Sequence, residues 1–283
     1  MSYRLAGRTV HRIGFGAMQL PGPCVFGPPR DRDAALAVLR RAVELGVNHI
    51  DTAQYYGPDI ANELIREALH PYPDDLVLVS KVGGAREEDG AWIPAQRPEQ
   101  LREGVEENLR SLALERVDVV NLRLMGDEEG EGAPEVPLED QLAMMVELRE
   151  EGKIGGIGLS NVTLEQVRAG LAQTEIACVQ NHMSLLYRDG EPLLELCREA
   201  GIAFVPFFPL GSAFSWIPNV TEQPAVLQVA ARIGATPAQV GLAWLLAREA
   251  QRAPDPRHLV ARAPRGEPGC EPSGARLRGP RPA

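Results

Sequence analysis

The sequence is poor in the features that mark metal, nucleic-acid or membrane chemistry. Its 283 residues include 4 cysteines (Cys24, Cys178, Cys197 and Cys270), none in CxxC spacing, so neither a disulfide framework nor a zinc site is indicated. No apolar run reaches the roughly 18 residues of a membrane-crossing helix. The N-terminus, MSYRLAGRTVHRIG, lacks the uninterrupted apolar block of a signal peptide. Positive charge is scarce: the formal charge is −10 and the pI near 5.1, which argues against a nucleic-acid or anionic-membrane partner. The histidines, His11, His49, His70, His182 and His258, are too dispersed for a metal site. The "GFG" at Gly14–Gly16 is not a dinucleotide fingerprint, because the GxGxxG pattern and its helix are absent. The plain expectation is a soluble cytoplasmic protein.

Hydrophobic residues make up 44% of the chain, enough for a substantial core. Short apolar runs alternate with amphipathic helical ones. A hairpin-like start over Tyr3 to Arg12 leads to "RIGFGAMQL", and six further strands follow at "VNHI", "LVLVSK", "VDVVNLRL", "IGGIGLSN", "IACVQ" and "IAFVPFFPLG". Helical patterns separate them, at Asp31 to Leu45, Ile60 to Leu69, Pro98 to Leu114, Leu138 to Gly152, Thr163 to Gln173 and Glu191 to Gly201. Two more helices lie near Pro224 to Ile233 and Pro237 to Arg248. Strands spaced by helices of about 10–15 residues imply right-handed βαβ units around a parallel sheet. The expected fold is α/β: a (β/α)8 TIM-type barrel with an N-terminal β-hairpin, whose length suits one domain.

A closed barrel needs eight strands, and only seven precede residue 210. From Glu249 the texture changes. Residues 249–283 carry +3, from 7 arginines against 4 acids, whereas residues 1–248 carry −13, from 22 basic against 35 acidic residues. The tail holds 7 prolines and no aromatic residue. It is expected to be a disordered Pro/Arg/Gly-rich segment, leaving residues 1–248 as the barrel and the eighth βα unit missing. The genetic code adds a sharper reading. With each codon read one base later, the residue pairs from Pro254 to Ala261 admit Leu-Ile-Pro-Gly-Thr-Ser-Ser. Those from Ala263 to Pro272 admit His-Leu-Glu-Glu-Asn-Leu-Ala-Ala-Asn. That hidden string is an apolar strand, a turn and a helix start, so the tail reads as a frameshift of the eighth unit.

The chemistry concentrates at strand ends. In "NHIDTAQYYG", Asp51 closes a strand and Tyr56 follows in the loop; in "LVLVSKVGG", Lys81 ends an apolar strand. Carboxyl ends of barrel strands converge on one face, so the three side chains are expected to meet. A buried lysine needs a partner. A lysine beside the phenol is expected to lower its pKa from the usual ~10, with the aspartate fixing the lysine. Taken singly, Asp51 reads as a turn cap, Tyr56 as a half-buried aromatic and Lys81 as a surface charge.

Together, "GFGAMQL", "NHIDTAQYYG", "VLVSKVG", "GIGLSN", "CVQNHMSLL" and "FVPFFPLG" resemble the successive signatures of the aldo-keto reductases, over about residues 3–248. The wording "VFGPPRDR", "VDVVNLR" and "VPFFPLG" is most similar to the bacterial pyridoxal reductase branch. The resemblance implies an oxidoreductase that uses NADPH to reduce a small aldehyde or ketone, with pyridoxal-like compounds among the expected substrates. Tyr56 would be the proton donor, with Lys81 and Asp51 in support. Ser160, Asn161 and Gln180 would bond the nicotinamide carboxamide, and Phe207 would stack on its ring in place of the usual tyrosine. Pro209, Leu210, Gly211 and Ser212 would begin the loop over the pyrophosphate, with Gly16 and Met18 beneath the cofactor.

Two departures stand out. Arg123 replaces the histidine usual at the end of the fourth strand and reads as a variant member of the catalytic tetrad; its mundane alternative is a salt bridge to the acidic loop at Asp127 to Glu131. Arginine stays protonated, so it can polarise a carbonyl and attract an anionic or phenolate-bearing substrate. The second is the tail, since the eighth unit would hold the adenosine 2′-phosphate. An inactive barrel of binding or regulatory role is therefore the alternative reading. Trp92 is placed in a loop after the third strand, and His182 beside the carboxamide site. The oligomeric state is not readable.

Overall fold

The computed structural model describes residues 2–125, 136–212, 214, 217–250 and 259–262. The chain opens with an antiparallel hairpin, β1 (Ser2–Leu5) and β2 (Arg8–His11), turned at Ala6-Gly7. The helices and strands that follow form seven successive parallel strands: β3 (Ile13–Gly16), β4 (His49–Asp51), β5 (Val77–Arg86), β7 (Val119–Arg123), β8 (Ile157–Ser160), β9 (Cys178–His182) and β10 (Ala203–Phe207). Each strand after β3 is reached through a helix: α1 (Arg32–Glu44), α2 (Ile60–Leu69), α3 (Pro98–Leu112), α4 (Leu138–Glu150), α5 (Leu164–Gln173) and α6 (Glu191–Ala200). The sheet runs β10-β9-β8-β7-β5-β4-β3, each strand hydrogen-bonded in parallel to the next. Helices α7 (Pro224–Ile233) and α8 (Pro237–Ala250) complete the outer layer.

The helices begin where their side chains satisfy the first-turn amides. Asp31 accepts from the Ala34 amide at 2.8 Å to start α1, and Thr163 with Gln166 forms a reciprocal capping box at α5. Their apolar stripes face the strands. Leu101 and Val105 of α3, Leu142, Met145 and Leu148 of α4, and Val167 of α5 share one buried cluster with Val120, Leu122 and Leu159. Fully burying each such side chain contributes about 1.5–3 kcal/mol. A second cluster lies at the bottom of the barrel. There Leu5 and Val10 of the hairpin pack under Val77, Val119, Cys178 and Ala203, so the hairpin plugs the lumen.

Three features depart from the sequence reading or extend it. A short strand, β11 (Leu259–Arg262), pairs in parallel with β3, so four residues of the altered tail stand where an eighth stave belongs. Among the described residues no backbone pairing joins β11 to β10, and the helix expected after β11 lies outside them. Trp92 is not in a loop. It opens β6 (Trp92–Ala95), which folds back antiparallel on the upper half of β5. The cysteines are also not all unpaired: Cys24 is disulfide-bonded, whereas Cys178 and Cys197 are free and buried. No helix among the described residues is long and apolar enough to cross a membrane.

Candidate active site

The parallel register explains how residues far apart in sequence reach one rim. Gly16 pairs with Asp51, Asp51 with Val79, Lys81 with Asn121, Arg123 with Ser160, and Ser160 with Gln180; His182 then pairs with Phe207. Between these pairings the residues named climb by two on β5, β7 and β9 and stay level elsewhere, and an even offset keeps side chains of the same parity pointing into the lumen. The polar residues picked from separate motifs therefore occupy a single ascending ring.

At its centre Lys81 Nζ donates to Asp51 Oδ1 at 2.5 Å and to the Thr52 carbonyl at 2.9 Å. The other carboxylate oxygen accepts from Gln180 Nε2 at 2.8 Å. Asp51 thus has both oxygens engaged, and the ion pair is nearly sealed, with side-chain exposures of 4% for Lys81 and 8% for Asp51. Taking two charges out of water is tolerable only with such full pairing.

Tyr56 is buried beside this pair, its ring centroid 4.9 Å from Lys81 Nζ. The expected lowering of its pKa by lysine is corrected here. Burial pushes the Tyr56 hydroxyl well above its ordinary range, the Asp51 carboxylate pushes it further, and the group that pulls back is Arg123. Lys81 is committed to Asp51 and the Thr52 carbonyl. Tyr56 therefore stays protonated at neutral pH, which suits a proton donor. Its neighbour Tyr55 meets it edge to face at 5.4 Å and meets Trp92 likewise at 5.5 Å, so β6 walls this side of the site.

The remaining expected residues line the same mouth. Arg123 Nη1 lies 3.4 Å from Ser160 Oγ, and its Cζ stands 5.3 Å from the Phe207 ring centroid. Its alternative partner, the acidic loop at Asp127 to Glu131, lies outside the described residues. Asn161 follows Ser160 with a left-handed backbone (φ 57°), and its side-chain amide donates to the Leu124 carbonyl at 2.9 Å. Met18 sits in a single 3₁₀ turn after Gly16, partly buried against the cluster that holds Tyr55 and Tyr56. Pro209 and Gly211 bridge across Leu210, whose carbonyl accepts from the Val220 amide. Ser212 is buried and its hydroxyl oxygen accepts from the Phe214 amide at 3.3 Å.

Other groups were harder to foresee. Behind the ion pair runs a buried polar chain: Thr52 Oγ1 donates to Asn62, the Asn62 amide donates to Asn108 and Ser111, and the Asn108 amide donates to Gln54. It ties α2 and α3 to the segment that supplies the Thr52 carbonyl. Their signal was present in the sequence, since Asn62 and Asn108 are polar residues at core-facing helix positions. His182 lies in a stack of rings, 4.1 Å from Tyr187 and 5.7 Å from Phe207, and burial lowers its pKa to about 4.

A nicotinamide amide fits this donor and acceptor set. Gln180 Oε1 is buried and without a partner among the described residues, an acceptor for an incoming N–H. Ser160 stands opposite Gln180 on the neighbouring strand, and Phe207 lies one pleat above it on the other side, opposite His182.

Comparison with known proteins agrees with the geometry. Pyridoxine 4-dehydrogenase of Escherichia coli (strain K12) is 49% identical over 248 residues, covering 87% of this chain and 84% of that protein. An uncharacterised oxidoreductase of Schizosaccharomyces pombe is 33% identical over 254 residues, covering 89% and 79%. Among solved structures, a thermostable aldo-keto reductase bound to the inhibitor epalrestat superposes with a TM-score of 0.74 at 27% identity, over 94% of this chain and 90% of that one. An aldo/keto reductase from Klebsiella pneumoniae, crystallised with NADP and acetate, gives 0.72 at 25% identity, over 93% and 84%. The Aldo/keto reductase family profile matches residues 12–258, the span that carries every one of these rim residues, and the chain belongs to that family of oxidoreductases.

Proposed function

We propose that the protein is an NADPH-dependent reductase of a small aldehyde, with pyridoxal-like compounds as the substrate class. The observation that carries this reading is the sealed Asp51–Lys81–Gln180 cluster with the protonated Tyr56 against it. The similarity to a pyridoxine 4-dehydrogenase supports the substrate class, and a Klebsiella pneumoniae relative crystallised with NADPH supports the cofactor.

When bound, the nicotinamide supplies hydride to the carbonyl carbon. The residues of the chain do the rest. Tyr56 donates its proton to the carbonyl oxygen as charge develops there. Asp51 holds Lys81 in place, and their paired charges lie beside the phenolate left behind. Ser160, Asn161 and Gln180 orient the carboxamide, Phe207 packs on the ring, and Gly16 and Met18 support it from below. Pro209, Leu210, Gly211 and Ser212 start the covering loop. Arg123 polarises the carbonyl and draws substrates that carry a phenolate or another anion.

The test is NADPH oxidation followed with a panel of aldehydes, together with fluorescence titration of NADPH. Turnover of pyridoxal-like aldehydes with submillimolar NADPH binding is expected; absence of binding up to millimolar NADPH would overturn the reading. A second reading, an inactive barrel, is favoured by the tail, where the adenosine-binding unit is replaced by Pro- and Arg-rich sequence. A chain with residues after 248 restored to the alternative frame separates the two. Activity in that chain alone assigns the defect to the tail.

A further inference from the structure

Arg123 differs from the rim's other cation in having no carboxylate of its own. Lys81 is neutralised by Asp51 at 2.5 Å, whereas among the described residues no carboxylate lies within ion-pair distance of the Arg123 guanidinium. Instead it reaches Ser160 Oγ at 3.4 Å and lies 5.3 Å from the Phe207 ring centroid. These are the two groups assigned above to the nicotinamide, one to its carboxamide and one to its ring face. Guanidinium and ring therefore share one slot. Asp51, the carboxylate at the centre of the rim, already has both its oxygens engaged, by Lys81 and Gln180.

We propose that Arg123 makes the site discriminate between the redox states of the cofactor, binding the reduced nicotinamide and rejecting the oxidised one. The inference rests on the reading that the nicotinamide packs on Phe207. A dihydronicotinamide ring is neutral and can lie beside the guanidinium at no Coulombic cost. The oxidised ring carries a full positive charge, and two like charges a few ångströms apart in a half-buried cleft repel strongly. A neutral imidazole in the same place would impose no such difference. Arg123 thereby favours the direction of carbonyl reduction and hastens release of the spent cofactor.

The experiment is equilibrium titration of NADPH and of NADP+ at fixed ionic strength, read by protein fluorescence, on the full chain and on Arg123→Met, Arg123→Gln and Arg123→Lys. In the unaltered chain the dissociation constant for NADP+ is expected to exceed that for NADPH by at least about tenfold. Arg123→Met should shrink that ratio at least about fivefold, chiefly by tightening NADP+. Arg123→Gln should do the same and serves if the Met variant does not fold. Arg123→Lys keeps the charge and should keep most of the ratio. A ratio unchanged in Met and Gln overturns the inference, as does a Lys variant that behaves like Met. Loss of binding of both forms by the unaltered chain would instead overturn the proposed function, and this inference with it.

Discussion

Gln180 and Lys81, on strands from opposite parts of the sheet, grip the two oxygens of the single carboxylate of Asp51, at 2.8 and 2.5 Å. That double grip fixes the cluster's geometry, because the carboxylate cannot rotate without breaking one hydrogen bond. Removing one member should cost more than removing both charges. Lys81→Met leaves Asp51 buried and unpaired and is expected to destabilise the fold by about 3–5 kcal/mol. Lys81→Met combined with Asp51→Asn should recover part of that loss. Urea denaturation of the two variants checks the order.

Tyr56→Phe removes the proton donor and keeps the ring. Turnover should fall by about 10²–10⁴-fold while NADPH affinity stays within about twofold. Steady-state rates beside fluorescence titration decide it, and unchanged turnover would remove Tyr56 from the role.

The raised pKa of Tyr56 fixes a pH profile. The donor is protonated across the neutral range, so kcat for reduction should stay flat there and decline only in alkali, when the phenol loses its proton. Arg123 pulls that pKa down. Arg123→Met should therefore move the alkaline decline to higher pH. A rate profile of both proteins tests the sign.

Stability should show the opposite limb. His182 and His49 have pKa values lowered to about 4 from 6.5, by burial first in both and by Lys81 next for His49. Below pH 6.5 the unfolded chain takes up protons that the folded chain refuses. The stability is whole above that value and is lost as pH falls toward 4, by on the order of 1–2 kcal/mol per imidazole at about pH 5. His182→Phe keeps the ring stack and should flatten the dependence of the urea midpoint on pH.

Gly83 has φ 101°, and a Cβ there would sit 2.3 Å from the Arg123 carbonyl oxygen. Gly83→Ala combines a left-handed strain with a backbone clash. It should lower stability by about 1–3 kcal/mol and weaken carbonyl reduction by displacing Arg123. Thermal unfolding and steady-state rates measure both.

Much of this was legible from the chain. Asp51 and Lys81 stood out as charges ending apolar strands, and strand ends of a parallel barrel converge. Ile60–Leu69 was bounded to the residue because its apolar spacing runs cleanly into Pro71. Other parts were hidden for physical reasons. The bond from Gln180 to Asp51 spans 129 residues of sequence, and nothing local signals it. β6 is hidden because β5 continues past the barrel through Gly83 and Gly84 into a hairpin, where neither strand shows a two-residue apolar period. The direction of the Tyr56 shift is hidden because spacing reveals proximity but not desolvation, and desolvation dominates.

The tie from Asp51 on β4 to Gln180 on β9 spans the gap in which β3, β11 and β10 lie. It acts as a strut across that arc, so the Asp51–Lys81–Gln180 cluster keeps its shape where, among the described residues, no backbone pairing joins β10 to β11. If the proposed function holds, a change in the tail therefore reaches cofactor affinity before it reaches the chemistry.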